Sequence, residues 1–342
     1  MKGPHPVEHM MQGGAKTHTV RPVVAALCGG ERPDGMEPIE ELADVRYVDA
    51  DGLADALRGA EVLFVWDFRS AALRDAWASA DALRWVHVAG AGVDRVLFPE
   101  LAASPVVVTN SRGVFDRPMA EYVLAFVLAF AKYLPATLRY QQAGEWRYRE
   151  SEDITGKRVV IAGSGSIGRE IARMLRAVGM QVHGVGRTPR DTDPDFGVVS
   201  ASSELVEVVR DADYVVAVAP LTEQTRHMIN ADVLRAMPST ARLINVGRGL
   251  LVDDDALVAA LEAGEIAGAG LDAFAKEPLP SDHPYWRLPQ VIVSPHMSGD
   301  SIGWTDRIIG LFAANLQRWL AEEPLRNVVD KRDGFAAVDA GR

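Results

Sequence analysis

Three side chains in the C-terminal half of the chain combine into a reactive set. Arg248 stands between two glycines in "INVGRGL", Glu277 lies in "DAFAKEPLP", and His296 follows an apolar run in "VIVSPHMSG". Each comes just past a stretch expected to form a strand (241–247, 268–274 and 290–295). Open α/β sheets bind ligands at the carboxyl ends of their strands, so the three are expected to converge. A fixed cation, a carboxylate and an imidazole suit hydride transfer at a carbonyl carbon. Arg248 would hold a substrate carboxylate and polarise the carbonyl. His296 would give the proton that balances the hydride. Glu277 would hydrogen-bond the other ring nitrogen, fixing the ring and favouring the imidazolium. Taken singly, each has an ordinary alternative: a structural histidine, a surface arginine, a loop carboxylate. Their joint occurrence in this order, downstream of a nucleotide turn, carries the reading.

That turn is "VVIAGSGSIGREIARMLRAVG". An apolar run enters Gly163-Ser164-Gly165-Ser166-Ile167-Gly168 and an amphipathic pattern leaves it, the strand–turn–helix context a dinucleotide fingerprint requires. Gly163 permits the tight turn, Gly165 lets the backbone approach a pyrophosphate, and Gly168 lets helix and strand pack closely. Ser166 and Ile167 open the helix, whose first N–H groups and positive dipole end attract phosphate.

About twenty residues on, "GVGRTPRDTD" lacks the carboxylate that would accept bonds from the ribose 2′-OH of NAD. Arg187 stands at the strand end instead, followed by Thr188, with Arg190 on the same loop. Guanidinium groups bind a 2′-phosphate through charge-assisted bonds. The preferred cofactor is therefore NADP(H), with NAD(H) possible because Asp191 and Asp193 lie nearby. Arg190 either adds to the anion site or faces water.

The elements that must position these groups alternate between apolar runs and helical patterns, the mark of parallel sheets covered by helices. Expected strands in the first part are 22–27, 45–49, 61–66, 83–89 and 105–110. After a polar connector, six more fall at 158–163, 181–186, 213–219, 241–247, 268–274 and 290–295. With only one late helix, roughly 301–320, and a tail remaining, the C-terminus should pack back on the first domain. The fold class is thus α/β, with two Rossmann-like or flavodoxin-like domains of doubly wound parallel sheet. A cofactor domain (118–299) is inserted into a discontinuous substrate domain (21–117 and 300–342), after a leader (1–20) read as flexible.

Composition narrows the function classes. The chain has 342 residues, 48% hydrophobic and 24% charged, with a formal net charge of -11. Such acidity argues against a broad nucleic-acid or anionic-membrane surface, since phosphates must be met by Lys and Arg. The apolar stretch Ala120 to Leu134 is too short for a membrane span and is broken by Glu121 and Lys132; a buried interdomain or interface helix suits it. Cys28 is the only cysteine, so no intrachain disulfide or cysteine-based metal cluster can form. No metal site is expected, and a reducing, cytoplasmic setting fits.

Gly163–Gly168, "APLTEQTRHMIN" (219–230), "NVGRG" (245–249), "LDAFAKEPLP" (271–280) and "SPHMSG" (294–299) together resemble the D-isomer-specific 2-hydroxyacid dehydrogenases. The likeness covers about Arg21 to Lys331. It implies the discontinuous domain, a cleft between domains, a homodimer built on the cofactor domains, and catalytic roles for Arg248, Glu277 and His296. It also implies cofactor contacts from Ala219, Pro220, Leu221 and Thr225, from Val246 and Gly247, from Asp272 near the nicotinamide, and from Ser298. In "VAGAGVDRV" it places substrate-carboxylate binding on backbone N–H groups around Ala91 and Gly92. Arg187-Thr188 and the segment from Gly299 to Lys331 resemble the NADP-using glyoxylate and hydroxypyruvate reductases more than the NAD-linked lactate or phosphoglycerate enzymes.

The implied substrate is a small 2-oxo acid. Phe68 and Arg69 in "VWDFRSAAL" would face the cleft, Phe68 against an apolar tail and Arg69 towards a second acidic group or, alternatively, towards solvent as a helix-start residue. Trp304 and Met297 either wall the pocket or pack elsewhere. Nucleotide-gated corepressors share the fold and retain the same three residues, but the arginine pair and the lack of long disordered flanks favour an enzyme. Formate or phosphite oxidation matches the cofactor loop and C-terminal segment less well.

Overall fold

Uninterrupted apolar runs become the buried centres of two parallel sheets. The computed structural model describes residues 21–331 and 335–336; the leader 1–20 lies outside the described residues. In the first sheet the strands are β1 (Val23–Leu27), β2 (Asp44–Val48), β3 (Val62–Val65), β4 (Trp85–Val88) and β5 (Val107–Asn110). Their order is β2-β1-β3-β4-β5, all parallel, the flavodoxin-like arrangement. Helices α1 (Glu37–Glu40), α2 (Leu53–Leu57), α3 (Ala72–Ala76) and α4 (Pro99–Ala103) make the crossovers.

Two helices follow, α5 (Asp116–Ala131) and α6 (Leu134–Gln142). The second sheet then contains β6 (Arg158–Ala162), β7 (Gln181–Gly186), β8 (Arg190–Asp193), β9 (Gly197–Ala201), β10 (Tyr214–Ala217), β11 (Arg242–Asn245), β12 (Gly268–Leu271) and β13 (Val291–Val293). The connecting helices are α7 (Ser166–Ala177), α8 (Leu205–Val208), α9 (Ala231–Ala236) and α10 (Asp254–Ala263), and α11 (Trp304–Leu320) comes last. The order β13-β12-β11-β10-β6-β7-β9-β8 reverses direction between β6 and β10, and the carboxyl ends there form the crevice of a doubly wound sheet.

Eight strands replace the six expected. β8 is antiparallel to β9 and forms the sheet's edge, so the "RDTD" stretch is strand rather than loop. An edge strand needs little apolar side chain, and four polar residues carry no alternating signal.

The apolar stretch from Ala120 is α5, which buries Val123, Phe126, Val127 and Phe130 in the second unit's core. No single helix among the described residues is long and apolar enough to cross a membrane. Helix α11 returns to the first sheet: Ile308, Ile309, Phe312 and Leu316 pack with Val24, Val62, Phe64 and Trp85, and Phe312 stacks on Phe64 at 4.2 Å. The second unit is therefore an insertion in a discontinuous first one. Asn327 ties the return, its side-chain amide donating to the carbonyls of Asn110 (3.2 Å) and Arg112 (2.8 Å).

Candidate active site

His296 follows β13 and adopts a left-handed backbone, φ 56°. For a residue with a side chain this costs about 1–3 kcal/mol and persists only where surroundings enforce it. Asp272, fully buried at the end of β12, does so: its carboxylate accepts from the amides of Met297 (2.9 Å) and Ser298 (2.8 Å) and from the Ser294 hydroxyl (2.5 Å). Glu277 grips the ring itself, with Oε2 2.8 Å and Oε1 2.9 Å from Nδ1. The Phe274 amide also donates to Oε1, at 3.0 Å. Burial alone would raise the Glu277 carboxyl, but the His296 contact and the Phe274 amide outweigh it and hold it below the usual range. With Nδ1 taken by an anion, Nε2 is the ring nitrogen left to exchange a proton with a ligand.

Arg248 follows β11, and its neighbours are set by close approach. A Cβ at Gly249 would lie 1.8 Å from the Phe274 carbonyl carbon, so the Arg248 turn rests on the start of the Glu277 loop. A Cβ at Gly92 would stand 2.1 Å from Arg248 Nη2, so the guanidinium lies directly on the turn expected to bind a carboxylate. Asn110 steadies that turn by donating to the Ala91 carbonyl at 2.6 Å. Arg248 also pairs with Asp94 of the first unit, 3.1 Å from Nη2 and 3.3 Å from Nε. Arg248, Gly92, Glu277 and His296 thus assemble across the two units.

The nucleotide turn has the shape its glycines foretell. Gly163 has φ 133°, and a Cβ there would meet the backbone of Val218 and Ala219 at 2.7 Å, which seats Ala219, at the head of Pro220-Leu221, against the turn. A Cβ at Gly168 would collide with the Gly163 carbonyl at 1.9 Å, whereas one at Gly165 would stand in open space. The backbone at Gly165, capping α7, is therefore approachable, as a pyrophosphate requires. Ser166 donates to Asp116 at 3.2 Å, joining α7 to α5, and Ile167 packs on the core. Thr225 closes its own loop, with Oγ1 donating to the Pro220 carbonyl at 2.6 Å. Val246 is buried in the core, so only its backbone can meet a cofactor, and Gly247 lies against Val218. Ser298 is buried, and its backbone amide donates to Asp272 Oδ2 at 2.8 Å.

Arg187 and Thr188 are exposed just past β7, beside the turn, because Gly186 lies against the Ser164 side chain. Arg190 neither faces water freely nor stands alone: its Nε donates to Asp193 Oδ2 at 2.8 Å. Asp193 also takes both terminal nitrogens of Arg169, at 3.1 and 3.0 Å. Burial works against the Asp193 carboxylate, yet the Arg169 guanidinium and the amides of Asp195 and Phe196 hold it down at about 2. Arg190 Nη2 is buried with no hydrogen-bond partner.

On the first unit, Phe68 packs against Gly90, and the exposed Arg69 guanidinium lies 6.0 Å from the Phe68 ring centre. Its positive charge acts to lower the carboxyls of both Glu277 and Asp300. Trp304 stacks on Trp66 at 6.0 Å and 7° and packs on the first unit's core, while Met297 is exposed.

Comparison with known proteins decides the family. Residues 124–298 match the model of the D-isomer specific 2-hydroxyacid dehydrogenase NAD binding domain. A glyoxylate reductase of Korarchaeum cryptofilum is 33% identical over 264 residues, 75% of this chain and 79% of its own. The chain belongs to the D-isomer specific 2-hydroxyacid dehydrogenases. It is accordingly an NAD(P)-dependent oxidoreductase acting on a CH–OH group. Among solved structures, this dehydrogenase is similar to an NADPH-dependent glyoxylate/hydroxypyruvate reductase from Sinorhizobium meliloti in complex with NADP and malonate (TM-score 0.80, 29% identity, covering 93% of this chain and 99% of that one). It is similar also to a family member from Xanthobacter autotrophicus in complex with NADPH and MES (TM-score 0.78, 31% identity, covering 92% and 100%).

Sequence reasoning missed four polar residues of this dehydrogenase's site. Asp94 could have been flagged as the acid next to the Gly92 turn. Asp300, four residues past His296 and raised by burial, was readable in "HMSGD". Tyr122 and Ser294 carry no local signal, since their meaning lies in a contact across 172 residues of chain.

Proposed function

We propose that this enzyme is an NADP-preferring D-2-hydroxyacid dehydrogenase that reduces a small 2-oxo acid. The observation that carries the reading is the joint geometry of the Glu277–His296 pair and the Arg248 guanidinium lying on the Gly92 turn. The amides around Ala91 and Gly92, with Arg248, hold the carboxylate of the 2-oxo acid. Arg248 also polarises its carbonyl, and His296 passes the Nε2 proton to the carbonyl oxygen while Glu277 stabilises the charged ring. A bound reduced nicotinamide supplies the hydride. The glycine turn and α7 would hold the pyrophosphate, and Arg187, Thr188 and Arg190 the 2′-phosphate, an assignment supported by the absence of a carboxylate at the end of β7 and the exposure of Arg187 and Thr188 there. Phe68 and the Trp66–Trp304 stack favour a short, compact substrate, with Arg69 at its far end.

The reading extends to a cytoplasmic homodimer built on the cofactor units. Leu138, Trp146 and Tyr148, exposed on α6 and the segment after it, supply apolar surface for a second copy. The test is a panel of glyoxylate, hydroxypyruvate, pyruvate, phenylpyruvate and branched 2-oxo acids, each with NADPH and with NADH. Turnover is expected with NADPH and a small acid, and His296→Ala should lower it about a hundredfold or more. Lack of turnover with every acid, or near-normal rates in His296→Ala, would refute the proposal.

A further inference from the structure

A chain of hydroxyls runs from the half-buried Tyr122 on α5 to the carboxylate beneath the His296 loop. The Tyr122 hydroxyl lies 2.7 Å from Ser294 Oγ, which lies 2.5 Å from Asp272 Oδ1. A carboxylate only accepts, so Ser294 donates its proton to Asp272, and its free lone pair takes the Tyr122 proton. Asp272 and Ser294 are buried, and the Tyr122 ring is braced edge-on by Phe126 at 5.2 Å. The three donors to Asp272 come from Ser294, Met297 and Ser298, bracketing His296 on both sides.

We infer that Tyr122 and Ser294 are positioning residues for the reaction, a hydroxyl relay that locks Asp272 and thereby the left-handed His296 loop against α5. The inference rests on His296 being the proton donor proposed above. Three contacts define the orientation of the Asp272 carboxylate. Two belong to the loop it must hold, and only the Ser294 hydroxyl, itself oriented by Tyr122, leads away from that loop. α5 begins where the chain leaves the first unit and packs against α7. The relay therefore references the histidine to the helix that enters the cofactor unit, as well as to the strand ends.

The experiment compares Tyr122→Phe, Ser294→Ala, Ser294→Thr and the double variant Tyr122→Phe/Ser294→Ala with the wild type and His296→Ala. Read out are kcat, both KM values, NADPH affinity by fluorescence titration, and Tm. Because small misplacements of a catalytic group cost disproportionately, kcat should fall about five- to tenfold in Tyr122→Phe and Ser294→Ala. NADPH affinity and Tm should hold near wild type, and Ser294→Thr, which keeps the hydroxyl, should restore kcat. The double variant should be no slower than Ser294→Ala alone, since the two act as one unit. A kcat within about twofold of wild type in both single variants, additive losses in the double, or a loss that follows Tm and is not rescued by Thr would each overturn the relay. Near-normal turnover in His296→Ala would instead overturn the underlying role of the histidine, so the two failures are distinguishable.

Discussion

The Arg248 guanidinium, on the cofactor side of the cleft, is paired with Asp94 on the opposite side at 3.1 Å. Both side chains are partly exposed, which limits such a pair to about 1 kcal/mol at most. An incoming carboxylate must compete with Asp94 for the same cation. Asp94→Asn should therefore lower KM for the 2-oxo acid, by about fivefold at most. Steady-state kinetics checks this, and a raised KM would show that Asp94 orients Arg248 instead of restraining it.

Glu277 is held anionic by the His296 contact and the Phe274 amide, and it is the side chain that grips the ring. Glu277→Ala should lower kcat by about ten- to a hundredfold, the weight of losing an oriented proton donor, while NADPH affinity stays close to wild type. A fall in cofactor affinity equal to the fall in kcat would place Glu277 in binding instead.

Cofactor choice should follow Arg187. Exchanging it for a carboxylate removes a charge-assisted bond to the 2′-phosphate and adds repulsion, so Arg187→Asp should weaken NADPH by about tenfold or more relative to NADH. Titration of both nucleotides decides it; an unchanged ratio would remove Arg187 from the site.

His87 makes the fold sensitive to acid. It is fully buried in β4, 2.8 Å from the Thr109 hydroxyl, and burial pushes it down to about 3. The unfolded chain therefore binds more protons than the native state between about pH 6.5 and 3, and stability falls as pH drops through that window. At pH 5 the loss from this group is about 2 kcal/mol. Urea unfolding of the wild type and His87→Gln at pH 7 and 5 should show a shallower pH dependence in the variant.

Strand positions were legible because β-branched and other apolar or aromatic residues run unbroken through the buried strands β3 and β10. His296, Glu277 and Arg248 were legible because strand ends converge in an open sheet. The polar edge strand β8 was not, since it buries too little to leave a pattern. Nor were the pairings of Arg248 with Asp94 or Tyr122 with Ser294: their partners lie 154 and 172 residues apart, where no periodicity reaches. Arg190 was left open between anion binding and solvent. The bond to Asp193 explains why: the residue's local partner is hidden in the same short run.

The edge strand β8 also has a bearing on self-association. A sheet that ends in unpaired N–H and C=O groups invites strands from other molecules, and natural edges are blunted with charge and irregular pairing. Here the outermost strand reads Arg-Asp-Thr-Asp, and its pairing with β9 shifts register between Arg190 and Asp193. These four charged and polar residues thus keep the eight-stranded sheet from growing into a ninth strand donated by a neighbour. Mutations made there to change nucleotide preference act on solubility at the same time, and apolar replacements would open a path to aggregation.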